Sequence, residues 1–133
     1  MAENREPSLS ERIEAVEQAY EFMLAYAAQG REDEGGDGSV RKFLERAAAA
    51  LEGLAAAAAA SLHPQNATLD QSFAAFVEVL DDDARKALAA FRLVLVQRSI
   101  SSQLIDNLNA SIHVRALLTD IFLVDEVLKR GEA

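Results

Sequence analysis

The feature that most constrains this chain is the long stretch from Asp83 to Arg130, which contains neither glycine nor proline. Nothing in the stretch forces the backbone out of a helix. It also holds most of the leucine, isoleucine and valine of the chain, so it must supply much of any core. We therefore predict a helical C-terminal half around which the rest of the chain packs.

Apolar residues recur through this stretch at helical spacing and predict one buried seam. The seam consists of Leu93, Ile100, Leu104, Leu108 and Ile112. Residues 91–96 (FRLVLV) would also suit a buried strand, but the alanines before them and the periodic residues after them continue a helical phase. Asn107, Asn109 and Ser111 compete for backbone hydrogen bonds, so a break near 107–111 is expected.

Polar residues repeat every seven positions on the side opposite the seam. We predict that Arg92, Asp106 and His113, with Ser99 between them, form a polar surface line along one helix. The final segment carries apolar residues on nearly every side, more than the core of a small protein needs. It therefore predicts an interface, which is assigned to Ile112, Leu118, Ile121, Phe122 and Val124.

The N-terminal half is punctuated by helix start and stop signals. After a polar arm at 1–7, Ser8 and Glu11 have the spacing of a capping box, and Gly30 suits a helix end. Residues 30–38 (GREDEGGDG) predict a flexible acidic loop, since they contain little to bury. The loop lacks the ligand spacing of a calcium-binding EF-hand. Ser39 is predicted to cap the second helix.

Later signals divide the rest of the chain. Pro64 ends the second helix, because it excludes the α conformation at the residue before it. Thr68 and Gln71 predict a second capping box. The acids at 81–83 suit a helix start, so a new helix is predicted to begin at Asp83. The expected fold is an all-α, single-domain bundle of four to five helices within 8–133, dimeric through its C-terminal helices, with spans 8–29, 39–62, 69–81, 83–108 and 109–130.

Charge and composition exclude several classes of function. The net charge is −9, with −11 in residues 1–83 and +2 in residues 84–133. A net-acidic surface repels phosphates and anionic lipid, so neither nucleic acid nor a membrane is an expected partner. No apolar run is long enough to span a bilayer, and no secretory signal is visible, which indicates a cytoplasmic protein. Abundant alanine, and arginine in preference to lysine, suggest a bacterial source.

Motifs for catalysis or cofactors are missing from the sequence. There is no cysteine, no Glu-x-x-His pair for a carboxylate-bridged metal centre and no phosphate-binding glycine loop. We therefore expect no catalytic residue, no metal site and no cofactor. His113 could serve phosphotransfer, but the lysine and glycine expected after such a histidine are replaced by Ala116 and Leu117.

The function expected from the sequence is that of a non-enzymatic, self-associating interaction protein, an accessory subunit, adaptor or regulator of another protein. The alternative is a helical bundle that binds a small or apolar molecule. A pocket for that molecule could be lined by Phe73, Phe76, Phe91 and Phe122 without leaving a motif.

Overall fold

The computed structural model describes residues 5–36 and 38–131, and these form six α-helices and no β-strand. The expected all-α fold is confirmed, whereas the expected count of four to five helices is wrong. Residues 1–4 of the predicted arm and Asp37 of the predicted loop lie outside the described residues. The helices are α1 (Leu9–Ala27), α2 (Ser39–Leu51), α3 (Leu54–Ser61), α4 (Ala67–Leu95), α5 (Ser102–Ala110) and α6 (Ile112–Gly131).

The predicted capping box at the start of α1 is confirmed, whereas the helix ends at Ala27, two residues before the predicted end at 29. Glu11 N–H donates to Ser8 Oγ at 3.1 Å, and Ser8 N–H donates to Glu11 Oε1 at 2.8 Å, which completes the capping box. The chain reverses after α1 at Gly30, whose φ of +66° lies in the left-handed region that glycine adopts without strain. At the next helix Gly38, not Ser39, is the N-cap.

The predicted second helix is divided in two because an arginine from α1 occupies its middle. Arg12 is 7% exposed, and its Nη1 donates to the carbonyl oxygen of Ala50 at 3.0 Å at the end of α2. The guanidinium lies against Gly53, where a Cβ atom would come within 2.7 Å of Nη2. Arg12 thus binds the last carbonyl groups of α2, and the chain starts again as α3.

Helix α4 continues through the acids at 81–83, so the predicted helix start at Asp83 is wrong. Asp81 pairs with Arg85 at 2.8 Å and Asp82 with Lys86 at 3.4 Å, each one turn along the same helix. The start of α4 also differs from the prediction, because Asn66 rather than Thr68 caps it, accepting from Leu69 N–H at 2.8 Å.

The predicted helix 83–108 is broken at 96–101, and a second arginine explains the break. Arg41 of α2 donates to the carbonyl oxygens of Leu95 at 2.8 Å and Gln97 at 2.6 Å, and it also pairs with Glu34. These bonds satisfy carbonyl groups that the end of α4 leaves without intrahelical partners. The expected break near 107–111 is confirmed, at Ser111 between α5 and α6.

The described part of the acidic loop is hydrogen-bonded to the start of α5, and its flexibility stays a prediction. Glu34 Oε1 accepts from Ile100 N–H at 2.8 Å, a hydrogen bond that, with Arg41, lowers the pKa of Glu34. Ser102 N–H donates to the carbonyl oxygen of Arg31 at 2.8 Å. Tyr26 at the end of α1 donates its hydroxyl to the carbonyl oxygen of Ile100 at 2.5 Å.

The core contains side chains from all six helices. Helices α4 and α6 pack antiparallel: Phe76, early in α4, lies near Val127, late in α6, while Asp83 meets Asp120 in the middle of both. The predicted seam is only partly buried, since Leu93 and Ile112 are 66% and 74% exposed.

None of the described helices is both long enough and apolar enough to cross a membrane.

Replacing Arg41 by methionine should lower the free energy of unfolding by about 2 kcal/mol, because the carbonyl oxygens of Leu95 and Gln97 lose a charged donor. Chemical denaturation followed by circular dichroism measures this loss. Arg46→Met is the matched control on the same helix, since Arg46 is exposed and its contacts, a hydrogen bond to Gln18 and a position over the ring of Phe43, involve no helix end. Equal stabilities of the two variants would contradict the assigned role of Arg41.

Candidate functional site

Three residues of the predicted interface lie inside the protein. Leu118, Ile121 and Val124 are 7%, 1% and 3% exposed, so they belong to the chain's own core and offer no surface to a partner. Ile112 and Phe122, which are 74% and 57% exposed, are the members of that set that solvent reaches. The helical phase explains the division, because the five residues assigned to one interface lie on different sides of α6, and one side of the helix faces the core.

The predicted polar line does not exist, because its members lie on three different helices. Arg92 is on α4 and pairs with Glu52, Asp106 is on α5, and His113 is in the first turn of α6. His113 is exposed, and its backbone N–H donates to Ser111 Oγ at 3.3 Å. A repeat of seven residues places side chains in line only along one unbroken helix, and this chain turns twice between Arg92 and His113.

The outer contact between α4 and α6 contains an apolar groove of about 200 Å³. Six of its seven lining residues are apolar, and Ser72 is the exception. Phe73 and Phe76 line it as predicted for a pocket, whereas Phe91 is buried in the core and Phe122 lies on the outside. We call this the α4–α6 groove; its lining residues are Leu69, Ser72, Phe73, Phe76, Leu123, Val124 and Val127.

Exposed apolar side chains continue from the groove along both helices. Val79 of α4 and Leu123 of α6 are 46% and 51% exposed. Phe76, Val79 and Asp83 follow one another at steps of three and four residues, as do Asp120, Leu123 and Val127, so each trio forms one stripe along its helix. The two stripes border the outer side of the α4–α6 contact.

Two carboxyl groups meet where these stripes turn polar. Asp120 of α6 is 8% exposed, and no described residue donates a hydrogen bond to its Oδ2 atom. The carboxyl group of Asp83, which is partly exposed on α4, faces it across the helix contact. Asp83 lies two helical turns, or about 10 Å, from Phe76, so the carboxyl pair stands beyond one end of the groove.

The environment of Asp120 disfavours its ionised form. Burial is the largest cause, and the hydrogen bond and negative charge of Asp83 add to it, so that the pKa of Asp120 rises to about 7. The nearby cation on α4, Lys86, pairs with Asp82 at 3.4 Å instead. Near pH 7 the Asp120 carboxyl group is therefore about half protonated, and its proton, when bound, supplies the hydrogen-bond donor that the described residues lack there.

Other chemistry finds less support in the described residues. They contain no cluster of three or more His, Asp or Glu side chains that could hold a metal ion. Asn109 and Arg12 also have buried polar side-chain atoms without a partner, but the other nitrogens of Arg12 bind the end of α2. Asp120 differs from both because it is an acid whose carboxyl group faces a second carboxyl group, that of Asp83.

Sequence reasoning missed this site for an identifiable reason. From the sequence, Asp83 is assigned to a helix start and Asp120 is given no role. The spacing of Asp120, Leu123 and Val127 was a usable signal, since an acid in phase with apolar residues lies at the edge of a buried face. Which helix that edge meets depends on the tertiary structure.

Comparisons with known proteins give no match: no family model, no curated protein and no solved structure is similar to this chain.

Replacing Asp120 by asparagine should stabilise the protein at pH 8 and change it little near pH 4. A folded-state pKa above that of the unfolded chain means that the folded protein binds the proton more tightly. The contribution of Asp120 to the free energy of unfolding is therefore greatest below about pH 4 and falls as pH rises towards 7. The full effect is up to about 4 kcal/mol, at 1.36 kcal/mol for each unit of pKa.

Urea denaturation at several pH values measures the difference between Asp120→Asn and the unchanged protein. Glu78→Gln, an exposed change on α4, is the control and should give a difference that is small and nearly constant with pH. A destabilised Asp120→Asn protein at pH 8 would show that Asp120 is held by a donor in the folded state.

Proposed function

We propose that this protein is a non-enzymatic helical interaction protein, an accessory subunit, adaptor or regulator, that binds another protein along the outer side of α4 and α6. The observation that carries the proposal is the α4–α6 groove, whose lining residue Leu123 is 51% exposed, together with Val79, which is 46% exposed and lies one turn along α4 from Phe76. Exposed apolar side chains that adjoin one another cost free energy in water unless a partner covers them.

The size of the groove favours side chains of a partner over a whole small molecule. Sites for small molecules usually enclose about 300–1,000 Å³, whereas this groove is about 200 Å³ and is open along the helix contact. One or two leucine-sized side chains would fill it. An amphipathic helix that lies along two helices presents such side chains at steps of three and four residues.

Self-association is the second part of the proposal. Phe122 is 57% exposed and lies about 100° around α6 from Leu123, a lining residue of the groove. Ile112 is 74% exposed, but it lies in phase with Leu123 and so does not share the side of Phe122. We propose that the side of α6 with Phe122 joins two copies of the chain, which leaves the α4–α6 groove of each copy open. Two copies of the acidic chain then present two identical binding surfaces.

The alternative is a bundle that binds a small apolar molecule. Phe73 and Phe76 support it, since they line an apolar depression with one polar neighbour, Ser72. Native mass spectrometry of the purified protein separates the two functions. Additional mass of a small organic molecule on each 14.4 kDa chain would favour the ligand-binding function.

The binding function is tested with a phage-displayed library of random amphipathic peptides selected on the intact protein. Leu123→Asp places a charge at the border of the groove and should abolish binding of the selected peptides. Leu24→Asp is the matched control, because Leu24 is 49% exposed on α1 and Leu123 is 51% exposed. Peptides that bind both variants equally, or no selected peptides, would contradict a binding surface along α4 and α6.

Self-association is tested by the mass of the protein in solution. We expect about twice 14.4 kDa for the unchanged chain and 14.4 kDa for Phe122→Asp, measured by light scattering after size exclusion. Leu118 is left unchanged because a buried aspartate there would unfold the protein. A monomeric unchanged chain would rule out the dimer and leave the α4–α6 groove untouched.

A further inference from the structure

The carboxyl pair next to the α4–α6 groove needs a hydrogen-bond donor that the described residues do not provide. Asp120 Oδ2 is buried without a donor, and the group that faces it, Asp83, is another acid. Two carboxylates that face one another across a helix contact repel one another, so one of them must hold a proton or a cation must compensate them. A proton from solvent fills this need when the surface is free.

We propose that the partner segment bound along α4 and α6 is a basic amphipathic helix that places a lysine or arginine on the Asp83–Asp120 pair. The proposal rests on the proposed binding function and adds the chemistry of the partner. The apolar side chains of the partner helix fill the α4–α6 groove, and its lysine or arginine lies about two helical turns away, next to Asp83.

Charge complementarity selects this occupant over an uncharged one. An ammonium or guanidinium group donates to the partly exposed carboxylate of Asp83, and its charge also compensates the ionised Asp120 behind it, so the cation takes the place of the proton. An uncharged apolar helix would instead cover two acids and leave them without a donor, which costs free energy. The chain's net charge of −9 also attracts a basic partner during association.

The charged groups around the pair are compatible with a cation from outside. On α4, Lys86 pairs with Asp82, one turn from Asp83. On α6, His113 lies about two turns from Asp120 and is exposed. Asp83 itself is partly exposed, so a partner's cation reaches the pair from the Asp83 side while Asp120 stays buried.

A cation that replaces the proton makes binding depend on pH. Near pH 5.5 the pair holds its proton firmly, and the partner must displace it, which weakens binding. Near pH 8 the pair has already lost most of that proton, and the cation binds without competition. Binding of a basic peptide should therefore strengthen as pH rises. Loss of the proton from the peptide's own lysine would instead weaken binding as pH rises.

The experiment uses the peptides that the displayed library yields with the intact protein. We expect apolar residues at steps of three and four and one lysine or arginine at a constant position relative to them. Synthetic copies of such a peptide with lysine or glutamine at that position are then compared by fluorescence anisotropy. The lysine form should bind about tenfold tighter at pH 8.

Variants of the protein assign the preference to the carboxyl pair. In Asp83→Asn combined with Asp120→Asn, the tenfold preference for lysine should disappear while the glutamine peptide still binds. Glu45→Gln combined with Glu78→Gln is the control, because it removes the same charge from exposed positions and should keep the preference. Circular dichroism confirms that each variant is folded.

Each outcome separates this inference from the binding function it rests on. The basic partner would be overturned if the selected peptides were apolar without a constant basic residue. It would also be overturned if the double asparagine variant still bound the lysine peptide more tightly than the glutamine peptide. Both outcomes leave the α4–α6 binding function in place. Selected peptides that match a segment of this chain would make a second copy the occupant and also overturn it. If every selected peptide still binds the Leu123→Asp variant, the binding function itself is overturned.

Discussion

The arrangement of the six helices depends on two arginines that bind the ends of helices other than their own. Arg41 holds the carbonyl oxygens at the end of α4, and Arg12 holds those at the end of α2. Each arginine satisfies groups that a helix must leave without partners when it ends inside a protein. Because these groups are satisfied, the chain can turn sharply at 52–53 and 96–101 and bring α6 back against α4.

That return of α6 creates both the core and the candidate site. Ile121 and Val124 are buried between the helices, while Leu123 and Asp120 are carried to the border of the contact with α4. The same helix therefore supplies core residues, an exposed apolar side chain and a buried acid within five positions. An acid buried without a donor destabilises the free protein, and a partner that brings a cation would relieve that cost.

The sequence predicted local structure better than the site. The capping box at Ser8, the reversal at Gly30 and the break near Ser111 were all found from residue types, because each depends on neighbours within a few positions. The break at 96–101 was missed because it depends on Arg41, more than fifty residues away. The predicted polar line through Arg92 failed with it, since it required one unbroken helix.

By itself the sequence determined the helical class, the absence of cysteine chemistry and the excess of apolar residues in the C-terminal half. These follow from composition and from contacts within one helical turn. Only the tertiary structure decided that Leu118 is core, that Phe122 is surface and that Asp83 faces Asp120. The physical reason is that a helix presents the same periodic pattern to a core and to a partner, and long-range packing alone decides which side each residue faces.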